Sequence, residues 1–162
     1  MGSGKSTVGK ILAERLNFLF IDTDKIIEIA ENKKIPEIFR KQGEKFFRNL
    51  ESEVIDKLYR NNKDCVFSCG GGVVLRRKNM NIIKNNSYVI FLHVTSEEAY
   101  NRLKNTKDRP ILGKKDRKKV IEKLINKRKK LYLKYADLVI DNKEKNPDMI
   151  VKDIIFNMES NK

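Results

Sequence analysis

The sequence is poor in the residues that build cross-links and metal centres: two cysteines, Cys65 and Cys69, and one histidine, His93. Two close-set cysteines do not make the disulfide framework that staples a small secreted domain. A zinc site needs more ligands than these supply. The cysteines read as small apolar core residues, and His93, at the end of a strand, as structural. No apolar run approaches the roughly 20 residues that cross a bilayer. The first residues hold no apolar signal-peptide core, so the expectation is a cytoplasmic protein with no membrane partner. There is no internal repeat, no Pro-rich linker and no low-complexity tract, and 162 residues fit one domain. Aromatic residues are only 8%, too few to interleave with basic residues as a nucleic-acid surface does. Phe46, Phe47 and Tyr59 instead look like core positions.

What the chain has in excess is positive charge. Lys plus Arg is 36 against 22 for Asp plus Glu, a formal net charge of +14. Such an excess favours anionic partners and speeds their arrival. Nucleotide phosphates and an acidic substrate satisfy it as well as nucleic acid does. A solvated basic surface is the plain alternative.

Short apolar runs alternate with helical stretches. Ser6 to Leu16 reads as a helix with Val8, Ile11, Leu12 and Leu16 on one side. Phe18 to Ile21 reads as a buried strand ending at Asp22. Two short helices, Asp24 to Glu31 and Ile35 to Lys41, precede a longer one from Glu44 to Tyr59. Val66 to Ser68, Tyr88 to Val94 and Leu138 to Ile140 are further strands. Ser96 is placed to cap a helix, with Glu97 and Glu98 in its first turn. Asn105 to Lys115 reads as a mobile loop, Asp116 to Tyr135 as a long basic helix, and Pro147 opens the last helix. The alternation predicts an α/β fold: three αβα layers around a central parallel sheet, with ligands at the carboxyl ends of the strands.

Gly2-Ser3-Gly4-Lys5-Ser6-Thr7 is the strongest chemical signal. Phosphates need converging backbone N–H donors, and glycines let the backbone come that close. The helix that follows points its positive end at the same phosphates. Lys5 then reaches the β- and γ-phosphates, and the Ser6 hydroxyl ligates magnesium. The full motif places its first glycine just before residue 1 and a strand before that, so the expectation is that both lie upstream of this sequence, the alternative being a protein that lacks that central strand. Next comes Asp22-Thr23-Asp24, two carboxylates at a strand end. One suits the metal shell and the other the attacking hydroxyl. A plain helix N-cap is the alternative for either.

The later landmarks carry a resemblance. Asp22-Thr23-Asp24, Ile35-Pro36-Glu37-Ile38-Phe39, and Gly43-Glu44 with Phe47-Arg48 and Glu51 resemble the shikimate kinase family. Ser68-Cys69-Gly70-Gly71-Gly72 matches its triple glycine. Asn105-Thr106 with Arg109-Pro110-Ile111-Leu112 resembles its lid. Lys127-Arg128, Leu131-Tyr132 and Ala136-Asp137 resemble its second arginine segment. The resemblance implies one P-loop kinase domain over 1–162, with a substrate-binding helical segment at about 24–60 and a mobile lid at about 105–116. It implies transfer of the γ-phosphate of ATP to the 3-hydroxyl of shikimate, on the route to chorismate and aromatic amino acids.

By the same resemblance, Gly2, Ser3, Gly4, Lys5, Ser6 and Thr7 serve ATP, and Asp22 holds Mg²⁺ through water. Asp24 positions the attacking hydroxyl, with its deprotonation as a further role. Arg48 and Arg128 clamp the shikimate carboxylate, and the Gly70, Gly71 and Gly72 backbone lines the pocket. Arg109 meets the transferring phosphate, and Arg102 and Pro147 flank adenine. The partners implied are shikimate and ATP, and the oligomeric state a monomer. Residue chemistry agrees, since guanidinium forks bind carboxylates bidentately. Glu44 and Glu51 are placed to orient Arg48 by ion pairs. Three other readings remain at this point: a gluconate- or nucleotide-type kinase, a nucleic-acid-binding module, and a regulatory pseudo-kinase.

Overall fold

The computed structural model describes residues 2–61, 63–104 and 116–160. The order is α1 (Lys5–Leu16), β1 (Leu19–Asp22), α2 (Thr23–Glu31), α3 (Ile35–Asn61), β2 (Cys65–Ser68), a 3₁₀ turn (Val73–Leu75), α4 (Arg77–Asn86), β3 (Ile90–His93), α5 (Ser96–Leu103), α6 (Arg117–Tyr135), β4 (Leu138–Asp141) and α7 (Pro147–Ser160). As expected, α3 is two helical stretches that meet at Gly43, whose φ of 79° and ψ of 171° are not helical.

Alternation along the strands sorts the helices into two outer layers. Val66 of β2 with Ile90 and Leu92 of β3 packs against Val8 and Leu12 of α1 and Ile150, Val151 and Ile154 of α7. On the other side, Phe67 of β2 stacks on Tyr59 of α3 with ring centroids 4.4 Å apart. Phe91 of β3 likewise stacks on Tyr132 of α6 at 4.8 Å. The αβα layering is therefore as expected.

The four strands pair in two sets. β1 pairs with β2 and β3 with β4, both in parallel. Among the described residues these are two separate two-stranded ladders. The facing edges of β2 and β3 border an apolar cavity of about 1030 Å³, which Val8, Leu12 and Tyr132 also line.

Local chemistry corrects three readings. The cap of α5 is Thr95, not Ser96. Its Oγ1 accepts from the Glu98 amide at 3.2 Å, while Glu98 Oε2 accepts from the Thr95 amide at 3.0 Å. This reciprocal box satisfies two otherwise unpaired donors, which Ser96, already the first helical residue, cannot do. Helix α4 was not expected at all; Arg76 precedes it without a capping side-chain bond. Cys65 is only half-buried at the start of β2, whereas Cys69 packs into the cluster around Ile55, Val73 and Met80. His93 ends β3, its Nδ1 3.7 Å from Asp141 Oδ1.

Candidate active site

The register of β1 and β2 sets Asp22 beside Ser68 at their carboxyl ends. Helix α1 starts at the same end. Its cap is Gly4, with φ 79° and no side-chain cap bond, so no capping side chain takes the amides of its first turn. Ser6 Oγ donates to Asp22 Oδ2 at 2.8 Å and lies 3.3 Å from Ser68 Oγ. The other oxygen of Asp22, Oδ1, accepts from the Asp24 and Lys25 amides at 3.1 and 3.4 Å. Asp22 thus caps α2 with one oxygen and reaches Ser6 with the other, so the cap does not compete with a metal role.

The loop is tied down from behind. Asn142 Nδ2 donates to the Ser3 carbonyl at 2.8 Å, and Arg102 Nη1 to the Gly2 carbonyl at 3.0 Å. Arg102 therefore stands at the loop. Thr7 sits in the first turn, its amide bonded to the Gly4 carbonyl. Pro147 opens α7.

Opposite the loop is an arginine pocket. Arg48 is 7% exposed and Glu51 1%. Nη1 of Arg48 donates to both Glu51 oxygens, at 3.0 and 2.9 Å. Its Nε and Nη2 donate to Glu44 Oε1 at 3.3 and 3.2 Å. The orienting role expected of Glu44 and Glu51 is what the geometry has. Burial raises the Glu51 carboxyl pKa, with Arg48 opposing it.

The triple glycine closes the pocket. A Cβ on Gly70 would lie 2.6 Å from Asp24 Oδ1 and 3.0 Å from Glu51 Oε1. Arg128 is buried, and its Nη1 donates to the Gly71 carbonyl at 3.1 Å. Among the described residues its buried Nε has no hydrogen-bond partner, which is uncommon for a buried donor. Cys69 lines this cavity too, but burial pushes its thiol up to about 12, which removes it as a nucleophile.

One cavity of about 440 Å³ collects Lys5, Ser6, Asp22, Asp24, Arg48, Glu51, Gly70, Gly71, Gly72 and Arg128. Gly2, Ser3, Gly4, Thr7, Arg102 and Pro147 do not line it. Arg109 and the rest of the expected lid, 105–116, apart from Asp116, lie outside the described residues. Sequence reasoning gave no role to Ser68, Asn142 or Tyr132. Their contacts span 62, 139 and 61 residues and leave no local signal.

The donor set fits magnesium. Ser6 and Asp22 offer hard oxygens 2.8 Å apart. Among the described residues no group of three or more His, Cys, Asp or Glu forms a cage. Mg²⁺ characteristically takes one or two protein oxygens and completes its shell with water and phosphates.

The start of α1 and two buried arginines, Arg48 and Arg128, share a cavity sized for a metabolite. The molecule is in the class of P-loop phosphotransferases that act on small anionic acceptors. Comparison with known proteins narrows the class. The shikimate kinase family profile matches residues 1–159. The shikimate kinase of Persephonella marina is 46% identical over 155 residues, 96% of this chain and 92% of that one. Shikimate kinase from Acinetobacter baumannii, solved in complex with shikimate, superposes with a TM-score of 0.97 at 33% identity, covering 100% of this chain and 90% of that one. The enzyme from Aquifex aeolicus gives 0.85 at 37% identity, covering 99% and 93%. The chain belongs to the shikimate kinase family and is an ATP-dependent kinase.

Proposed function

We propose that the 440 Å³ cavity is where the γ-phosphate of ATP passes to the 3-hydroxyl of shikimate. The observation that carries this is the meeting of Ser6, Asp22 and Asp24 with Arg48 and Arg128 around one cavity. Family membership sets aside the gluconate-type and nucleic-acid readings.

In this reading Gly2, Ser3, Gly4 and Thr7 supply the loop, and Lys5 reaches the β- and γ-phosphates. Magnesium, held by Ser6 Oγ and through water by Asp22, supplies charge neutralisation at those phosphates. Arg48 and Arg128 hold the acceptor carboxylate. Glu44 is the replaceable partner of Arg48, because its side chain is 54% exposed whereas that of Glu51 is 1%. Asp24 orients the attacking hydroxyl and takes its proton. Arg109 meets the phosphate in flight, where charge spreads over its oxygens, and Arg102 and Pro147 flank the adenine.

The domain reading belongs to the same proposal. Residues 1–162 form one kinase domain, 24–60 covers the acceptor and 105–116 closes over it. The enzyme acts as a cytoplasmic monomer; among the described residues no helix is long and apolar enough to cross a membrane.

The test is ADP release from Mg·ATP, with shikimate added or withheld. Release that depends on shikimate is the expected result. A folded chain that binds ATP but ignores shikimate overturns the assignment.

A further inference from the structure

Two donors from α6 converge on one backbone carbonyl. Tyr132 Oη donates to Gly71 O at 2.5 Å, and Arg128 Nη1 to the same oxygen at 3.1 Å. Arg128 lines the acceptor cavity, but Tyr132 does not; it lines the larger cavity between the strands. There its ring stacks on Phe91 of β3, at 4.8 Å and 24°.

The carbonyl they hold lies between two glycines whose side-chain space is already occupied. Space for a Cβ on Gly70 is taken by Asp24 and Glu51, and on Gly72 by the Arg48 guanidinium. A shift of Gly71 therefore moves the backbone against Asp24 on one side and Arg48 on the other. Arg128 also lines the acceptor cavity itself. Tyr132, among the described residues, meets this loop through Gly71.

We propose that Tyr132 is a positioning residue for the acceptor pocket: its phenol holds Gly71, and so sets Gly70 and Gly72 against Asp24 and Arg48. This rests on the reading of the cavity as the shikimate site. The phosphate loop is tied down by other residues, Asn142 and Arg102, so the effect is confined to the acceptor.

Tyr132→Phe keeps the ring and its stacking and removes only the hydroxyl. The loss of one of two donors to a part-buried carbonyl is expected to raise the shikimate KM about tenfold. The KM for ATP stays within about twofold, and the melting temperature moves little. Phe91→Leu removes the stack and keeps the hydroxyl; it lowers the melting temperature, with the smaller effect on the shikimate KM. An unchanged shikimate KM in Tyr132→Phe overturns the proposal. So does a parallel rise of both KM values, or an equal rise in Phe91→Leu, because each marks a general packing role. If the wild-type chain binds ATP but shows no shikimate-dependent ADP release, the site reading itself fails and takes this proposal with it.

Discussion

The guanidinium of Arg48 occupies the space that a side chain on Gly72 would need. A Cβ there would lie 2.2 Å from Nη1 and 2.3 Å from Cζ. Those atoms are held by Glu51 from one side and Glu44 from another, and Cζ lies 5.1 Å from the Phe47 ring centre. Arg48 is the far end of a flexible side chain, so a collision displaces it rather than the backbone.

Gly72→Ala should therefore behave as an arginine mutant. The shikimate KM is expected to rise at least about tenfold, as for loss of a charge-assisted hydrogen bond, with the ATP KM unchanged. Steady-state kinetics with each substrate varied in turn checks this. An unaltered shikimate KM would show that Arg48 does not bind the acceptor from its observed position.

Asp24→Asn keeps the shape of the side chain and removes its basicity. Turnover should fall at least about a hundredfold, the scale of a positioned general base, while ATP binding measured by calorimetry stays intact. Normal turnover would end the catalytic role assigned to Asp24.

Glu51 gives a pH signature. Burial raises its carboxyl pKa in the folded state, so the folded chain binds the proton more readily than the unfolded one. Its contribution to stability is then greatest below the unfolded carboxylate pKa and declines as pH rises through the raised value. Glu51→Gln removes that decline. The melting temperature of the variant relative to wild type should be more favourable at pH 7 than at pH 4. At both pH values the shikimate KM should rise, because Arg48 loses its buried partner. A variant-minus-wild-type difference that does not change with pH would sink the titration argument.

Asp137 has the opposite sign. Burial works against its charge, but Lys84 and the Val89 amide, bonded at 2.5 and 2.8 Å, outweigh burial and lower its pKa. It contributes stability above the unfolded carboxylate pKa, and that is lost as pH falls through the depressed one. Asp137→Ala should cost no more than about 1 kcal/mol at pH 7, given the partial exposure of the pair, and almost nothing in strong acid. Urea melts at the two pH values measure the difference.

Much of this was legible from spacing. The run Val8, Ile11, Leu12, Leu16 marks α1, and the apolar run ending at Asp22 marks β1. Gly-Lys-Ser-Thr locates the phosphates because that geometry is local. Helix α4 escaped because Met80, Ile82 and Ile83 are embedded in asparagines and lysines, with Arg76 and no capping residue before them. Tyr132 could be quoted in a motif but given no role. Its partner is 61 residues away, and only the packed fold shows that a phenol on α6 meets the glycine turn after β2.

Among the described residues, β1–β2 and β3–β4 share no backbone ladder. Helices bridge them instead, and α1 leans on Val66 of one pair and Leu92 and Ile140 of the other. The same helix begins with Lys5 and Ser6. A nucleotide that grips its first turn therefore acts as a rivet between two half-sheets as well as a phosphate donor. Amide exchange should slow in both pairs together as nucleotide concentration rises, by the mass-action increment of any ligand that binds only the folded state. How long a molecule survives unfolding and how much fuel surrounds it then become a single variable.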